Sequence, residues 1–364
     1  MEPKPLLSRR ASFERLARAA LGLMAGVEVI HTQPVLANIK PSPWLPKSGE
    51  SVKPGVKKFV PVMITPFDAS LKIDYDTLSR LIDFYGQAGA KGFFANCLSS
   101  EMYFLNDQER LELTRHVVKR AGRKTGVVST GSFGDSLDDK VAFAKKIYDT
   151  GVNGVILISS HFAQASESDA VLMKNFEAFL AQTGSIKLGT YECPNPYKRL
   201  LSPDVFKSLV SDKRLIYHKD TSEDIKNIET KLAIARGTQL EFYNAHTATA
   251  AESLQKGAAG MSPISGNFYP EIHSWLCQYA NDPSKAADVQ WIQAEITRTE
   301  PVISKFYPLS SKYFLKKRGL PIELVCRSNV KTIPAEQLSV LDDTYQTFLG
   351  WCDRLGIKPV TGLK

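Results

Sequence analysis

The sequence has no C-x-x-C pair, and its five cysteines (Cys97, Cys193, Cys277, Cys326, Cys352) are widely spaced and odd in number. That argues against a zinc site and against a disulfide framework, and leaves buried small apolar residues as the simplest reading. Six histidines are scattered singly along the chain, without metal-ligand spacing. After residue 40 there is no run of about 18 apolar residues, so the body carries no membrane-spanning helix. No basic stretch interleaved with aromatics occurs, and no zinc-finger or RNP-like spacing, so the net charge of +8 does not point to a nucleic-acid partner. A Gly-rich turn after the first apolar run is missing too. Thr65-Pro66-Phe67-Asp68 stands there, which disfavours an open doubly wound dinucleotide fold. Neither a metal nor a cofactor is expected.

The first 37 residues differ from the rest. Lys4, Arg9, Arg10, Arg15 and Arg18 make a basic start, Ala19 to Ile30 is mostly apolar, and Val35-Leu36-Ala37 offers small residues at a cleavage site. This is an export-signal pattern, and Ser8-Arg9-Arg10 is similar to a twin-arginine start. Phe13 falls one place later than such a signal prefers, and Glu28 interrupts the apolar run. Export to a periplasm is the expectation. The alternatives are a disordered arm on a cytoplasmic protein and an organellar transit peptide. Residues 38–57, with Pro41, Pro43, Pro46 and Pro54, read as an extended linker.

From residue 58 a rhythm begins. Short β-branched apolar runs at 59–64, 92–96, 126–131, 154–159, 186–192, 215–219, 240–245 and 260–264 alternate with amphipathic stretches. Thr77, Leu78, Leu81, Ile82 and Tyr85 recur at helical spacing, and Ser202-Pro203-Asp204 reads as a helix start. Strands alternating with helices pair in parallel through right-handed crossovers. Eight such units predict an α/β chain folded as a (β/α)8 TIM barrel over 58–280. A C-terminal helical extension over 281–364 follows, with helices expected at 284–305, 309–318 and 334–354.

A barrel of this type places reactive groups at the carboxyl ends of its strands. Lys219 ends the sixth run, and Tyr191 lies at the end of the fifth, next door. A desolvated amine has a lowered pKa and a free lone pair, which makes it a carbonyl nucleophile. A neighbouring phenol could move protons. Ser99 and Ser100 follow the second run and could donate to a carboxylate. His161, Phe162, Asn244 and His246 fall at strand ends facing the mouth. Each has a plainer alternative: a solvated lysine, a packing tyrosine, a turn serine.

In order and at matching spacing, several elements resemble the dihydrodipicolinate synthase / N-acetylneuraminate lyase family of class I aldolases. They are Thr65-Pro66-Phe67, then Glu101 and Leu105, then Tyr191-Glu192-Cys193-Pro194, then Ile216 to Asp224, and finally Gly257 to Gly260 with Gly266-Asn267. The resemblance implies a Schiff base between Lys219 and pyruvate or another 2-oxo acid, with Tyr191 as proton carrier. It implies that Ser99, Ser100 and Ser265 bind substrate, and that the protein is a dimer or tetramer. Departures stand out. Cys97 to Glu101 has lost both family glycines and the first hydroxyl of a Ser/Thr pair, now Leu98. His161 and Phe162 stand where synthases carry a relay tyrosine. Pro196 stands where they carry an arginine, with Lys198 and Arg199 following. Asn244-Ala245-His246 replaces the lyase's Gly-Asp. A lyase or aldolase that is not a true dihydrodipicolinate synthase is expected, and sialic acid is not the expected substrate. The alternative is a catalytically degenerate barrel that binds a small ligand.

Export has a direct check. The mature protein isolated from its host should begin near Asn38 by amino-terminal sequencing. An intact Met1 on active cytosolic protein would contradict it.

Overall fold

A computed structural model describes Lys40, residues 56–122 and residues 125–361. The expected export signal lies outside the described residues, as does most of the linker.

Eight strands form one all-parallel sheet: β1 Lys58–Phe59, β2 Gly92–Phe94, β3 Gly126–Thr130, β4 Gly154–Ile158, β5 Leu188–Tyr191, β6 Leu215–Asp220, β7 Glu241–Asn244 and β8 Gly260–Met261. Their order is β1-β8-β7-β6-β5-β4-β3-β2. The two ends of that order meet, because Lys91 N donates to Phe59 O (2.9 Å), Phe94 N to Pro61 O (3.0 Å) and Met63 N to Phe94 O (3.1 Å). The chain is therefore the expected (β/α)8 barrel. The first strand is shorter than the 59–64 predicted. Pro61 has no N–H to donate, which breaks the ladder, and pairing resumes only at the single bridge Val62–Phe94.

A helix follows each strand: α1 Tyr75–Gln87, α2 Asp107–Ala121, α3 Leu137–Tyr148, α4 Asp169–Gln182, α5 Pro203–Val210, α6 Ile225–Ala235, α7 Ala250–Gln255 and α8 Pro270–Tyr279. Their starts are chemically marked. Asn106 with Glu109 and Ser136 with Asp139 form capping boxes, and Ser202 caps α5 with Pro203 in its first turn. Leu78, Leu81, Ile82 and Tyr85 of α1 are buried, as their helical spacing predicts.

Three further helices pack on the barrel: α9 Ala286–Ile303, α10 Leu309–Lys317 and α11 Ala335–Leu355. Arg318 anchors them. Its buried guanidinium pairs with Glu271 and donates to Phe268 O (2.9 Å), between the rings of Phe84 and Phe348. A second buried pair, Lys312 with Glu101 (3.2 Å), ties α10 to the loop after β2. No helix among the described residues is long and apolar enough to cross a membrane.

Strand alternation aims side chains oppositely. On β6, Tyr217 and Lys219 turn inward, while His218 turns outward onto Phe206 of α5.

The seam between β1 and β8 depends on Gly260, where a Cβ would lie 1.9 Å from Lys58 O. Backbone cannot yield cheaply, so Gly260→Ala should lower stability by about 1–3 kcal/mol. Denaturant titration checks this, and an unchanged midpoint would show that the seam carries no such constraint.

Candidate active site

Lys219 and Tyr191 face each other across the register of β5 and β6. Lys219 is 3% exposed, with its Nζ 4.6 Å from the Tyr191 ring centre and 5.7 Å from that of Phe94. Below them Tyr217 stacks on Tyr243 at 4.6 Å. Among the described residues no carboxylate pairs with Lys219. Burial lowers its pKa to about 8, against a small upward pull from Cys97 and Cys193. At pH 7 about a tenth of it is free amine, where an ordinary lysine has well under about 1%. Burial also pushes the Tyr191 phenol well above its usual range, with the Cys193 thiol in hydrogen-bond contact, so it stays protonated.

Both residues line a cavity of about 510 Å³. Ser99 lines it too, in hydrogen-bond contact with the phenol of Tyr307, which accepts from Asn267 Nδ2 (2.7 Å). The opposite wall comes from the C-terminal extension, through Glu300, Ser304 and Tyr307.

Of the other predicted residues, His246 and Lys198 also line this cavity, and most of the rest do not. Ser100 turns into the backbone. Its hydroxyl lies 2.6 Å from Met63 O and 2.8 Å from Ala95 O and accepts from Cys97 N, so it shapes the loop. Ser265 lies behind the wall, between Thr247 and His273. Asn244 holds the loop after β7 by donating to Thr249 and Ser253. Phe162 is buried away from the mouth, stacked on Phe176 at 4.4 Å. His161 sits to one side. Its Nδ1 donates to Ser132 O (2.7 Å), and its Nε2 meets the Tyr103 phenol (3.0 Å). Burial lowers the His161 pKa to about 4, so the ring is neutral. His246 does line the cavity, 3.9 Å from Glu223. Arg199 points away, to Gln164 O, Glu167 O and Asp169, and Lys198 is paired with Glu223 (3.0 Å).

Some functional candidates left no mark in the sequence. Tyr103 donates to Asn195 O (2.7 Å) and contacts Cys193, which also contacts Tyr191. Tyr191, Cys193, Tyr103 and His161 thus lie in a row of contacts, with the Tyr103 proton given to Asn195 O and the His161 ring proton to Ser132 O. Glu300 and Tyr307 lie more than 80 residues beyond Lys219 in the chain, with no spacing that links them to it.

Behind the strands, Lys231 of α6 bonds both Glu192 and Asp220 (2.7 Å to the latter), and all three are buried. Glu192 also accepts from Leu201 N (2.7 Å) and Thr221 N (3.3 Å). Among the described residues, Glu192, His218 and Asp220 are the one trio whose donor atoms could converge on a metal ion. The Lys231 ammonium already supplies the positive charge between its two carboxylates. Glu101 is likewise committed. It adopts a left-handed conformation (φ 57°), pairs with Lys312 and accepts from Ser328 N (2.7 Å), which fits a structural support better than a base.

A family model described as the dihydrodipicolinate synthetase family matches residues 56–347. The 4-hydroxy-tetrahydrodipicolinate synthase of Pseudoalteromonas atlantica is 25% identical over 260 residues, covering 71% of this chain and 86% of that protein. The Bacillus subtilis enzyme of the same name is 25% identical over 285 residues, covering 76% and 94%. Among solved structures, YagE is a prophage protein of the dihydrodipicolinic acid synthase family from E. coli K12, determined with pyruvate. It matches with a TM-score of 0.72 at 19% identity, covering 80% of this chain and 98% of its own. CdNal from Clostridium difficile, determined with mannosamine, matches with a TM-score of 0.71 at 15% identity, covering 80% and 99%. The model spans most of the chain, and the chain belongs to the dihydrodipicolinate synthetase family, whose members are class I aldolase-type lyases.

Proposed function

We propose that the protein forms a Schiff base between Lys219 and pyruvate or a longer 2-oxo acid. The imine then serves for C–C cleavage, aldol addition or dehydration. The observation that carries this reading is a buried lysine without a counter-charge, opposite a protonated phenol, in a cavity large enough for a small organic acid. Lys219 Nζ attacks the C2 carbonyl to give a carbinolamine. Tyr191 delivers the proton that lets the hydroxyl leave as water, and the iminium draws electrons from the bond at C3. Ser99, with Tyr307 beside it, is placed to meet the carboxylate.

The protein is proposed not to be a true dihydrodipicolinate synthase. Phe162 has no proton to pass and packs away from the mouth. The charge of Lys198 is already matched by Glu223, and Arg199 faces elsewhere. A second anionic substrate finds no free cation among these residues, and sites without partners for a polar group discriminate strongly against it.

Four outcomes are expected of the purified protein. In D2O it should exchange the methyl protons of pyruvate, because the imine interconverts with its enamine, and Lys219→Ala should abolish the exchange. The kcat/KM for exchange should rise with pH and level off above about 8, because the unprotonated amine is the attacking form. Tyr191→Phe should lower kcat by about 10²-fold. Condensation of pyruvate with aspartate semialdehyde should be undetectable. Exchange that survives Lys219→Ala would overturn the Schiff-base reading, and no exchange with bound 2-oxo acid would favour a ligand-binding barrel.

A further inference from the structure

Glu300 belongs to α9, outside the barrel, yet it lines the same cavity as Lys219. The placement is built. Gln293, two turns earlier on α9, donates to Thr247 O (2.9 Å) and accepts from Ala251 N (2.7 Å), which docks the helix on the loop after β7. Glu300 Oε2 then accepts from Thr247 Oγ1 (2.7 Å). Thr247 Oγ1 lies 2.8 Å from Ser265 Oγ, and Ser265 Oγ lies 2.9 Å from His273 Nε2. Nδ1 of buried His273 has no partner, so the ring proton sits on Nε2 and is given to Ser265. The two hydroxyls then aim their protons toward Glu300.

What Glu300 lacks is a cation. Among the described residues it forms no ion pair, and its polar partners are these two hydroxyls. Burial raises its pKa against the pull of these two hydroxyls, and the one charge that acts on it, Glu223, is of like sign. Across the mouth Lys198 is matched by Glu223, and burial lowers the pKa of His246, which favours the neutral ring. With Glu300 ionised, the cavity lining apart from Lys219 and the Glu101–Lys312 pair sets two carboxylates, Glu300 and Glu223, against the one ammonium of Lys198. A half-buried acid without a counter-ion, in an open cavity, is short of a hydrogen-bond donor. A substrate hydroxyl supplies one, and a second substrate carboxylate does not.

We infer that Glu300 selects the far end of the substrate, accepting hydrogen bonds from a neutral, hydroxylated chain and rejecting a terminal carboxylate. The substrate class is then a monoanionic polyhydroxylated 2-oxo acid, or the hydroxyaldehyde released from it or added to the enamine. This rests on the reading of Lys219 as the imine-forming residue, since that fixes which end of the substrate lies at Glu300.

The test compares kcat/KM of the full chain for two 2-oxo acids of equal length, one bearing hydroxyls from C4 outward and one ending in a carboxylate. The hydroxylated acid should be preferred by at least about tenfold. Glu300→Gln keeps an acceptor and removes the charge, so it should raise kcat/KM for the diacid about tenfold and narrow the preference. Glu300→Leu should raise KM for the hydroxylated acid by about tenfold, with a smaller effect on kcat. A wild-type preference for the diacid overturns the inference, whether or not the variants fold. So does an unchanged ratio in both variants. Pyruvate exchange by the wild-type protein separates the two levels. With exchange present and the preference absent, the role of Glu300 fails alone. With no Lys219-dependent exchange, the Schiff-base reading fails and this inference falls with it.

Discussion

The site hangs on one buried ammonium. Lys231 holds Glu192 and Asp220, and these residues directly follow Tyr191 and Lys219 in the chain. Removing one partner from a buried ion pair typically costs about 3–5 kcal/mol, because it leaves a charge without compensation. Here loss of Lys231 would strand two carboxylates. The clamp therefore fixes the exits of β5 and β6, and with them the distance between amine and phenol. Strand alternation does the rest. Because Asp220 points outward to Lys231, its charge is sequestered behind the sheet, while Lys219 points inward to aromatic rings and thiols. An inward carboxylate would hold the lysine protonated. Its displacement by one residue lets burial dominate the pKa.

The barrel supplies the proposed nucleophile, and the C-terminal extension supplies part of the wall. Arg318 and Lys312 pin the added helices through buried pairs to Glu271 and Glu101. That brings Tyr307 beside Ser99 and Glu300 beside Thr247. A division of labour follows. On the proposed reading, the chemistry sits on strand ends whose geometry the closed sheet dictates, and the choice of substrate falls to helices free to vary around it.

How much of this could be read from the amino acids follows from periodicity. Eight β-branched runs, each followed by a helical repeat, were enough for the barrel, and the helices at 286–303, 309–317 and 335–355 fall close to the sequence ranges. Lys219 and Tyr191 could be placed side by side from the sequence because both lie at strand ends, where position alone brings neighbours together. Side-chain direction in loops was not legible. Ser99 and Ser100 are adjacent and alike, yet one lines the cavity and the other bonds the backbone, because the short turn over Leu98–Ser100 faces them apart. Ser265 was misplaced for the same reason, whereas Asn244 ends β7 and turns its amide to Thr249 and Ser253. Phe162 was expected at the mouth, but two phenylalanines of α4 offered it an apolar site. Glu300 and Lys231 are ordinary helix charges by spacing, and only tertiary packing shows where they end.

The central claim is that Lys219 carries the imine. Borohydride reduction of the full-length protein with pyruvate, followed by peptide mass mapping, tests it most directly. The account predicts one added reduced pyruvate, carried on Lys219 alone and dependent on the 2-oxo acid. A stable adduct on another lysine, or none with any 2-oxo acid, would contradict it.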